Sequence, residues 1–316
     1  MSKSLPPLNL LLSMWKGSEN LKNYAPNYDF VSFGQSQIYI GDYSGKKPKK
    51  NIKGHIDITI ICLDNVYIGS GFFSSRNKSI CNEPIKFRND CIIPGSSFKG
   101  ALRNIASAVS EACLPKFKKK EDKKPNNNEC NDKQRCIVCD MFGTVNYASR
   151  LIIPDFKAEK ADTEILELNV QYGPNPKNKK YKNEDGLSKG YKFYKTYCEK
   201  YNDDKKIEVN TVKKGSKFTG RIYFSNISKE QLSLLLFSMG IDGSFNMKIG
   251  GFKNQGLGRI KIEVLDSKIE VISSENKVTA SEDITNKSPL ELAQEYPNNT
   301  QSRKRQIEEL KKILKP

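Results

Sequence analysis

The chain has 316 residues, 37% of them apolar, which suffices for one elaborated domain or two small ones with a buried core. Lysine and arginine number 53 against 36 aspartate and glutamate, and this net charge of +17 favours a polyanionic partner. No apolar run is long enough to span a membrane and no signal-peptide pattern opens the chain, so we expect a cytoplasmic protein without a membrane partner, whose eight cysteines stay reduced.

Much of the positive charge is concentrated in four lysine-rich runs, at residues 46–50, 116–124, 177–182 and 213–217. Such runs are often only solvated loops. On charge alone RNA, DNA and an anionic membrane all remain open as partners, and the membrane is the weakest because the chain has no convincing amphipathic basic anchor. The class of ligand has to be inferred from the motifs between the runs.

The first 55 residues form an N-terminal arm ahead of the first clear strand pattern. Apolar side chains alternate over residues 56–63 and predict that strand. His55 directly precedes it and is the only histidine of the chain. One histidine is a poor basis for acid–base catalysis, and we interpret it as a strand-edge residue or an RNA contact.

A Pro-Gly turn and two serines follow, and they open a predicted helix that runs to about Cys113. Ser96 or Ser97 can cap the first turn, and the free N–H groups of a helix N-terminus attract anions. Lys99 and Arg103 are four residues apart and share one helix face. The segment lacks the spacing of a nucleotide-binding P-loop. It predicts phosphate binding by these two serines and two cations.

Four cysteines, Cys113, Cys130, Cys136 and Cys139, lie close together in the chain. The Cys-x-x-Cys pair at the end of this set has the spacing with which two thiolates hold one tetrahedral ion. The stretch between the first and last cysteine has few apolar side chains, so a bound metal would supply its missing stability. We therefore predict a zinc-binding insertion over residues 113–142 with a closed, structural Zn²⁺ site.

The rest of the chain predicts further strands, a second helix and a polar tail. Residues 149–155, 218–224 and 259–264 have strand patterns, and residues 157–210 form a polar, extended hairpin. Ser228 caps a helix that runs to Met239. Residues 269–316 are a polar tail that ends in a charged helix near 302–314, which we expect to be a surface or partner-binding segment.

Without its insertions, the chain runs strand, helix, strand, strand, helix, strand over residues 56–268. This order predicts an α+β protein with a ferredoxin-like or RRM-like core. The fold hosts many functions, so the order by itself does not define one.

Several motifs together give the chain a family resemblance. They are the Ile-Gly-Ser-Gly loop at 68–71, the Pro-Gly-Ser-Ser-Phe-Lys-Gly-Ala-Leu-Arg stretch at 94–103, the Cys-x-x-Cys before Met-Phe-Gly at 141–143, the glycine-rich basic loop at 249–258, and the segments 28–31 and 190–194. Over about residues 28–265 the chain resembles the RAMP superfamily, the repeat-associated proteins that form backbone subunits of type III CRISPR effector complexes.

The resemblance implies crRNA and target RNA as ligands and other RAMP subunits as partners. It makes Ser96, Ser97, Lys99 and Arg103 contacts of the guide-RNA backbone, with Lys253, Asn254 and Gln255 in the late glycine-rich loop as secondary contacts. It also implies that the hairpin at about 157–210 is a thumb that kinks the guide–target duplex.

Some members of the family also cut the target RNA, with an aspartate in a stretch reading Asp-x-Pro-x-x-Arg/Lys. The corresponding stretch here begins with Asn82, which cannot act as a base or metal ligand as aspartate does. Glu83, Asp64 and Asp90 are nearby carboxylates, each displaced from the matching position. The resemblance therefore implies a subunit that binds without cutting, and Mg²⁺ is required only if it cuts.

Three alternatives differ from this crRNA-binding subunit. The first is a metal-dependent target-RNA endonuclease in the same assembly. The second is a stand-alone guide-processing ribonuclease, which needs a histidine or tyrosine base near the glycine loop. The third is an adaptor that touches no RNA and whose lysine runs are only solvated loops.

Overall fold

The structure, a computed structural model, describes residues 27–34, 39–40, 51–76, 79–113, 130–131, 134–171, 188–199, 205–272, 278–279, 284, 286–299 and 303–316. Most of the predicted N-terminal arm, three of the four lysine-rich runs and the middle of the predicted hairpin lie outside these residues. The lysine-rich runs concerned are those at 46–50, 116–124 and 177–182.

An antiparallel sheet around strand β3, Ile52–Cys62, forms the centre of the protein. β3 pairs on one side with β15 (Ile260–Ile272) and on the other with β14 (Lys217–Ile227), and β14 pairs in turn with β10 (Phe156–Lys160). The sheet is completed by β6 (Lys86–Phe87), β7 (Asp90–Ile93), β9 (Leu151–Ile152) and β16 (Val278–Thr279).

The alternating pattern of β3 sorts its side chains between two faces of the sheet. Ile56, Ile58 and Ile60 are fully buried on one face, while His55 and Asp57 lie on the other and are partly exposed. The three isoleucines join one hydrophobic core with the helices described next. One face of the sheet is therefore covered by helices and the other is open.

Helix α1 spans Gly95–Val109 and buries a stripe of side chains that includes Phe98 and Leu102. Its N-cap is Pro94, with no side-chain cap, and the Gly95 N–H donates instead to the Asp155 carboxylate at 2.9 Å. The predicted capping by a serine is therefore wrong, because the helix begins before both serines. A Cβ on Gly95 would lie 1.8 Å from the Ile153 carbonyl oxygen, so only glycine permits this close approach.

Two shorter helices follow. α2 spans Ile137–Phe142 and α3 spans Lys229–Ser238. The predicted Ser228 cap of α3 is confirmed as a full capping box, in which Ser228 and Gln231 bond reciprocally. Every side chain from Gln231 to Ser238 is buried, which requires cover on more than one side of α3.

A second sheet lies beside the first, with strand order β11-β13-β5-β4. Its strands are β4 (Gly69–Arg76), β5 (Ser79–Pro84), β11 (Thr163–Asn169) and β13 (Lys206–Val212). Two ribbons accompany the sheets: β1 (Tyr28–Ser32) with β12 (Gly190–Tyr194), and β2 (Tyr39–Ile40) with β8 (Gln134–Arg135).

Two helices at the end of the chain pack into the core. α4 (Pro289–Asn299) lies against α3 through buried Leu292, Ala293 and Tyr296, and α5 (Lys304–Ile313) packs against β1. The expectation of a surface tail therefore does not hold for these helices, and α4 was not predicted. The charged helix predicted near 302–314 corresponds to α5. In the described part of the chain, no helix is long and apolar enough to cross a bilayer.

Several predicted boundaries shift for local reasons. Of the strand predicted over 149–155, only the two residues of β9 form, because Pro154 lacks a backbone N–H for the ladder, and the next strand, β10, begins after the predicted end at Phe156. β10 belongs to the central sheet. The hairpin predicted at 157–210 therefore begins later, at β11, which lies in the second sheet. α1 ends at Val109, before Cys113, and β15 continues to Ile272. β3 begins at Ile52, so His55 lies inside a central strand, paired on both sides, and the prediction that it precedes the strand is wrong.

We predict that Leu292→Ala in α4 lowers the free energy of unfolding by about 2–5 kcal/mol, because it leaves a cavity against α3. Leu290→Ala is the matched control, since that side chain is 44% exposed and should cost under about 1 kcal/mol. Urea denaturation of both variants measures the difference. Equal, small losses would show that α4 is not packed in the core.

Candidate functional site

The four predicted metal ligands meet in space. The sulfurs of Cys113, Cys130, Cys136 and Cys139 all lie within 4.8 Å of one another, and those of Cys113 and Cys139 are 3.6 Å apart. A tetrahedral ion with metal–sulfur bonds of about 2.3 Å places sulfurs about 3.8 Å apart. The donor set and its spacing therefore fit one metal ion.

Local backbone geometry holds these sulfurs. Cys136 is the N-cap of α2, and its Sγ accepts the Cys139 N–H at 3.3 Å, while the Cys130 Sγ accepts the Cys136 N–H at 3.1 Å. Hydrogen bonds within the cluster lower the pKa of the Cys136 and Cys139 thiols and raise the pKa of the Cys113 and Cys130 thiols. Since the thiolate is the form that binds metal, Cys136 and Cys139 are the two ligands that these contacts prepare.

A buried carboxylate beside the cluster ties it to the rest of the core. Asp140 is fully buried, and its oxygens lie 3.2 Å from Arg135 Nε and 3.3 Å from Arg150 Nε. Gln231 of α3 donates to the same carboxylate at 2.8 Å. The cysteine insertion is therefore fixed to α3 through a paired, hydrogen-bonded charge.

A separate cavity of about 240 Å³ lies between α1, the glycine-rich loop and β12. Three lysines line it: Lys192 from β12, Lys248 directly before the loop, and Lys253 within it. None of its described lining residues is acidic. The others are Ser97, Gly100, Ala101, Asn104, Ile105, Phe193, Tyr194, Ile249, Gly250 and Leu314. We call this cavity the lysine pocket.

Burial changes the electrostatics of the lysine pocket. Desolvation lowers the pKa of Lys192 to about 8, and it also lowers the pKa values of Lys248 and Lys253. Lys248 Nζ donates to the carbonyls of Lys195 at 2.8 Å and Lys253 at 3.1 Å, whereas no carboxylate lies among the lining residues. An anion in the pocket would favour the charged form of all three side chains.

The glycine-rich loop is held rigidly at this position. Gly250 has a φ of +79°, and a Cβ there would lie 2.2 Å from the Tyr67 carbonyl oxygen. Phe252 adopts a left-handed φ of +51° and is nonetheless buried, which indicates that packing fixes the loop conformation. A short 3₁₀ turn, Lys253–Gln255, follows directly.

Two of the predicted RNA contacts, Ser97 and Lys253, line the lysine pocket, and Ser96 is exposed next to Ser97 in α1. Lys99 and Arg103 project elsewhere: Lys99 donates to the Leu151 carbonyl at 3.2 Å, and Arg103 contacts the cysteine cluster. At 3.6 residues per turn, both lie on the other side of α1 from Ser97.

The remaining predicted contacts also lie outside the pocket lining. Gln255 exchanges two hydrogen bonds with the backbone of Asn169 in β11, and Asn254 accepts one from Gln171 at 2.7 Å. These two residues fasten the glycine-rich loop to the second sheet. His55 lies on the open face of the central sheet, with its ring centroid 6.1 Å from that of Tyr223.

Of the three carboxylates that lie near the position of the family's catalytic aspartate, two are held by neighbouring side chains. Glu83 accepts hydrogen bonds from Ser74 at 2.6 Å and Asn210 at 2.9 Å, which fix it between strands of the second sheet. Asp64 pairs with Arg259 at 3.1 Å, and Asp90 is exposed at the β6–β7 turn. Within the described residues, the cysteine cluster is the only group of three or more potential metal ligands.

Sequence reasoning missed Lys192, Tyr194 and Lys248 as lining residues of the pocket. The alternating aromatic and basic residues of segment 190–194 were noticed only as a mark of resemblance. The sequence gives no sign that β12 meets α1, because the two are far apart in the chain and β12 lies within the predicted hairpin, between β11 and β13.

The fold and site together define a basic α+β protein with antiparallel sheets, a lysine-lined pocket and a four-cysteine cluster. The family model of the RAMP superfamily matches residues 59–261. The chain therefore belongs to the RAMP superfamily, a family generally associated with RNA-binding subunits of CRISPR–Cas complexes. Members typically bind RNA and other RAMP subunits. A search of curated proteins found no match.

We predict that Cys136→Ser loses the metal of the cluster, because a closed structural site uses all four thiolates. Metal content of the purified protein by mass spectrometry should fall from about one zinc per chain to nearly none, with a lower midpoint of thermal unfolding. Cys198→Ser is the control, since Cys198 lies outside the cluster. Full zinc retention by Cys136→Ser would contradict a four-cysteine site.

Proposed function

We propose that this chain is a crRNA-binding backbone subunit of a type III CRISPR effector ribonucleoprotein, acting in the cytoplasm in antiviral defence. The observation that carries the proposal is the lysine pocket beside α1, which is lined by three lysines and by no acidic residue among those that the structure describes. Phosphate contacts of this kind position an RNA without reading its sequence, as a subunit that accepts any guide requires.

The position of Gly100 also supports RNA as the ligand of the lysine pocket. Gly100 lies inside α1, where glycine costs about 0.5–1 kcal/mol relative to alanine. A Cβ there would meet nothing within 4 Å, so packing does not require glycine. Since Gly100 lines the lysine pocket, its missing side chain leaves room for the RNA backbone.

The wider architecture supports the remaining parts of the proposal. The central strand order β15-β3-β14-β10, with α1 and α3 between strands in sequence, is the arrangement of a ferredoxin-like core. The β11–β13 pair is the base of the proposed thumb, which contacts the guide–target duplex. The cluster holds Zn²⁺ in a structural role, because four thiolates leave no open position for catalysis.

We further propose that the subunit does not cleave RNA. Asn82 lies within β5, between β4 and β13, and its neighbour Glu83 is held by Ser74 and Asn210. A carboxylate that acts as general base or magnesium ligand must face the substrate or the ion. The bonds of Glu83 instead give it a role in the second sheet.

The RNA proposal predicts that Lys192→Glu with Lys253→Glu lowers the retention of guide RNA at least about tenfold, since two phosphate contacts are lost and repulsion is added. RNA retained by the complex, co-expressed with its genomic neighbours, is quantified after a wash at fixed salt. Lys261→Glu with Lys268→Glu makes the same charge change at exposed positions on β15 and is the matched control.

Retention that falls equally in both double variants would contradict a specific pocket and indicate general electrostatics. Gly100→Leu separates the two explanations further, because it fills the pocket without changing charge. We expect it to lower retention while the protein keeps its fold by circular dichroism. Unchanged retention in Gly100→Leu would count against RNA in the pocket.

For cleavage, we predict that Glu83→Gln and Asp90→Asn leave the cutting of a complementary target RNA by the purified complex unchanged in the presence of Mg²⁺. The assay compares the product ladder of each variant complex with that of wild type on a denaturing gel. Loss of one specific product in either variant would identify this chain as the endonuclease.

A further inference from the structure

Arg103 occupies a position that the guide-contact prediction does not explain. Its side chain is half-buried, and one guanidinium nitrogen lies 3.2 Å from the Cys139 sulfur. The other donates to the Gly143 carbonyl at 2.9 Å. Gly143 is the C-cap of α2, so Arg103 connects α1 to the second cysteine of the Cys-x-x-Cys pair and to the C-terminal end of α2.

The negative charge of the metal-loaded cluster would be offset by the positive charge of Arg103. Four thiolates that hold a divalent cation retain a net charge of −2, and a partly buried anion of this kind needs compensation. Arginine stays protonated at any physiological pH and presents its donors in a fixed fork. Two neighbouring arginines, Arg135 and Arg150, are already paired with Asp140.

We propose that Arg103 is a positioning residue of the metal centre and not a contact of RNA phosphate. Its charge offsets the thiolates, and its two bonds hold Cys139 and Gly143 at a fixed distance from α1. The metal centre thereby fixes α1 on the side away from Ser97, and Ser97 lines the lysine pocket on the other side.

The test measures metal release and needs no RNA. The zinc-loaded protein is mixed with a chromogenic chelator, and the rate of zinc transfer is followed for wild type, Arg103→Gln and Lys99→Gln. We expect Arg103→Gln to release zinc roughly 10- to 100-fold faster, the usual effect of losing a partner of a metal ligand. Lys99→Gln, one turn away and bonded to the Leu151 carbonyl, should release it at the wild-type rate.

Two further readouts make the assignment specific. In the cobalt-loaded protein, the thiolate-to-metal absorption should shift in Arg103→Gln and not in Lys99→Gln. Guide-RNA retention by Arg103→Gln in the complex should stay within a few fold of wild type. Wild-type zinc release together with lost RNA retention would overturn the proposal and restore Arg103 as a phosphate contact.

If Arg103→Gln does not fold, Arg103→Lys provides the test. Lysine keeps the charge, but a single ammonium group lacks the fork that reaches both the Cys139 sulfur and the Gly143 carbonyl. We expect zinc release from Arg103→Lys to be several times faster than from wild type. A wild-type rate would contradict the proposed role of the two bonds.

Discussion

Three lysines line one pocket beside α1, and none of the described lining residues carries a carboxylate. Burial lowers the pKa values of Lys192, Lys248 and Lys253, so an anion in the pocket would stabilise their charged forms. The backbone that positions them is tightly constrained, through Gly250 against the Tyr67 carbonyl and through the left-handed Phe252. We propose that this anion is an RNA phosphate backbone, a ligand that a net charge of +17 favours.

Helix α1 links the two sites of the molecule. One side, with Ser97 and Gly100, lines the lysine pocket, while Lys99 and Arg103 point towards β9 and the cysteine cluster. A helix fixed on one side by a metal centre would present its other side with little freedom. We therefore propose that the cysteine insertion has a role beyond stabilising its own loop.

Several features could be predicted because their causes are local in the sequence. The alternation of Ile56, Ile58 and Ile60 defines β3, Ser228 with Gln231 forms a capping box, and the Cys-x-x-Cys spacing predicts the cluster. Other features depend on contacts between distant segments. The N-terminus of α1 is satisfied by Asp155, so Ser96 and Ser97 are not needed as caps. α4 was missed although α3 is apolar on all sides, a signal that another layer must cover it.

The most direct measurement of the central claim is ultraviolet cross-linking of the purified ribonucleoprotein, with the cross-linked peptides identified by mass spectrometry. Our account predicts cross-links to guide RNA on three peptides, from the Ser97 region of α1, from β12 with Lys192 and Tyr194, and from the loop with Lys253. Cross-links confined to the open face of the central sheet, around His55 and Tyr223, would contradict it.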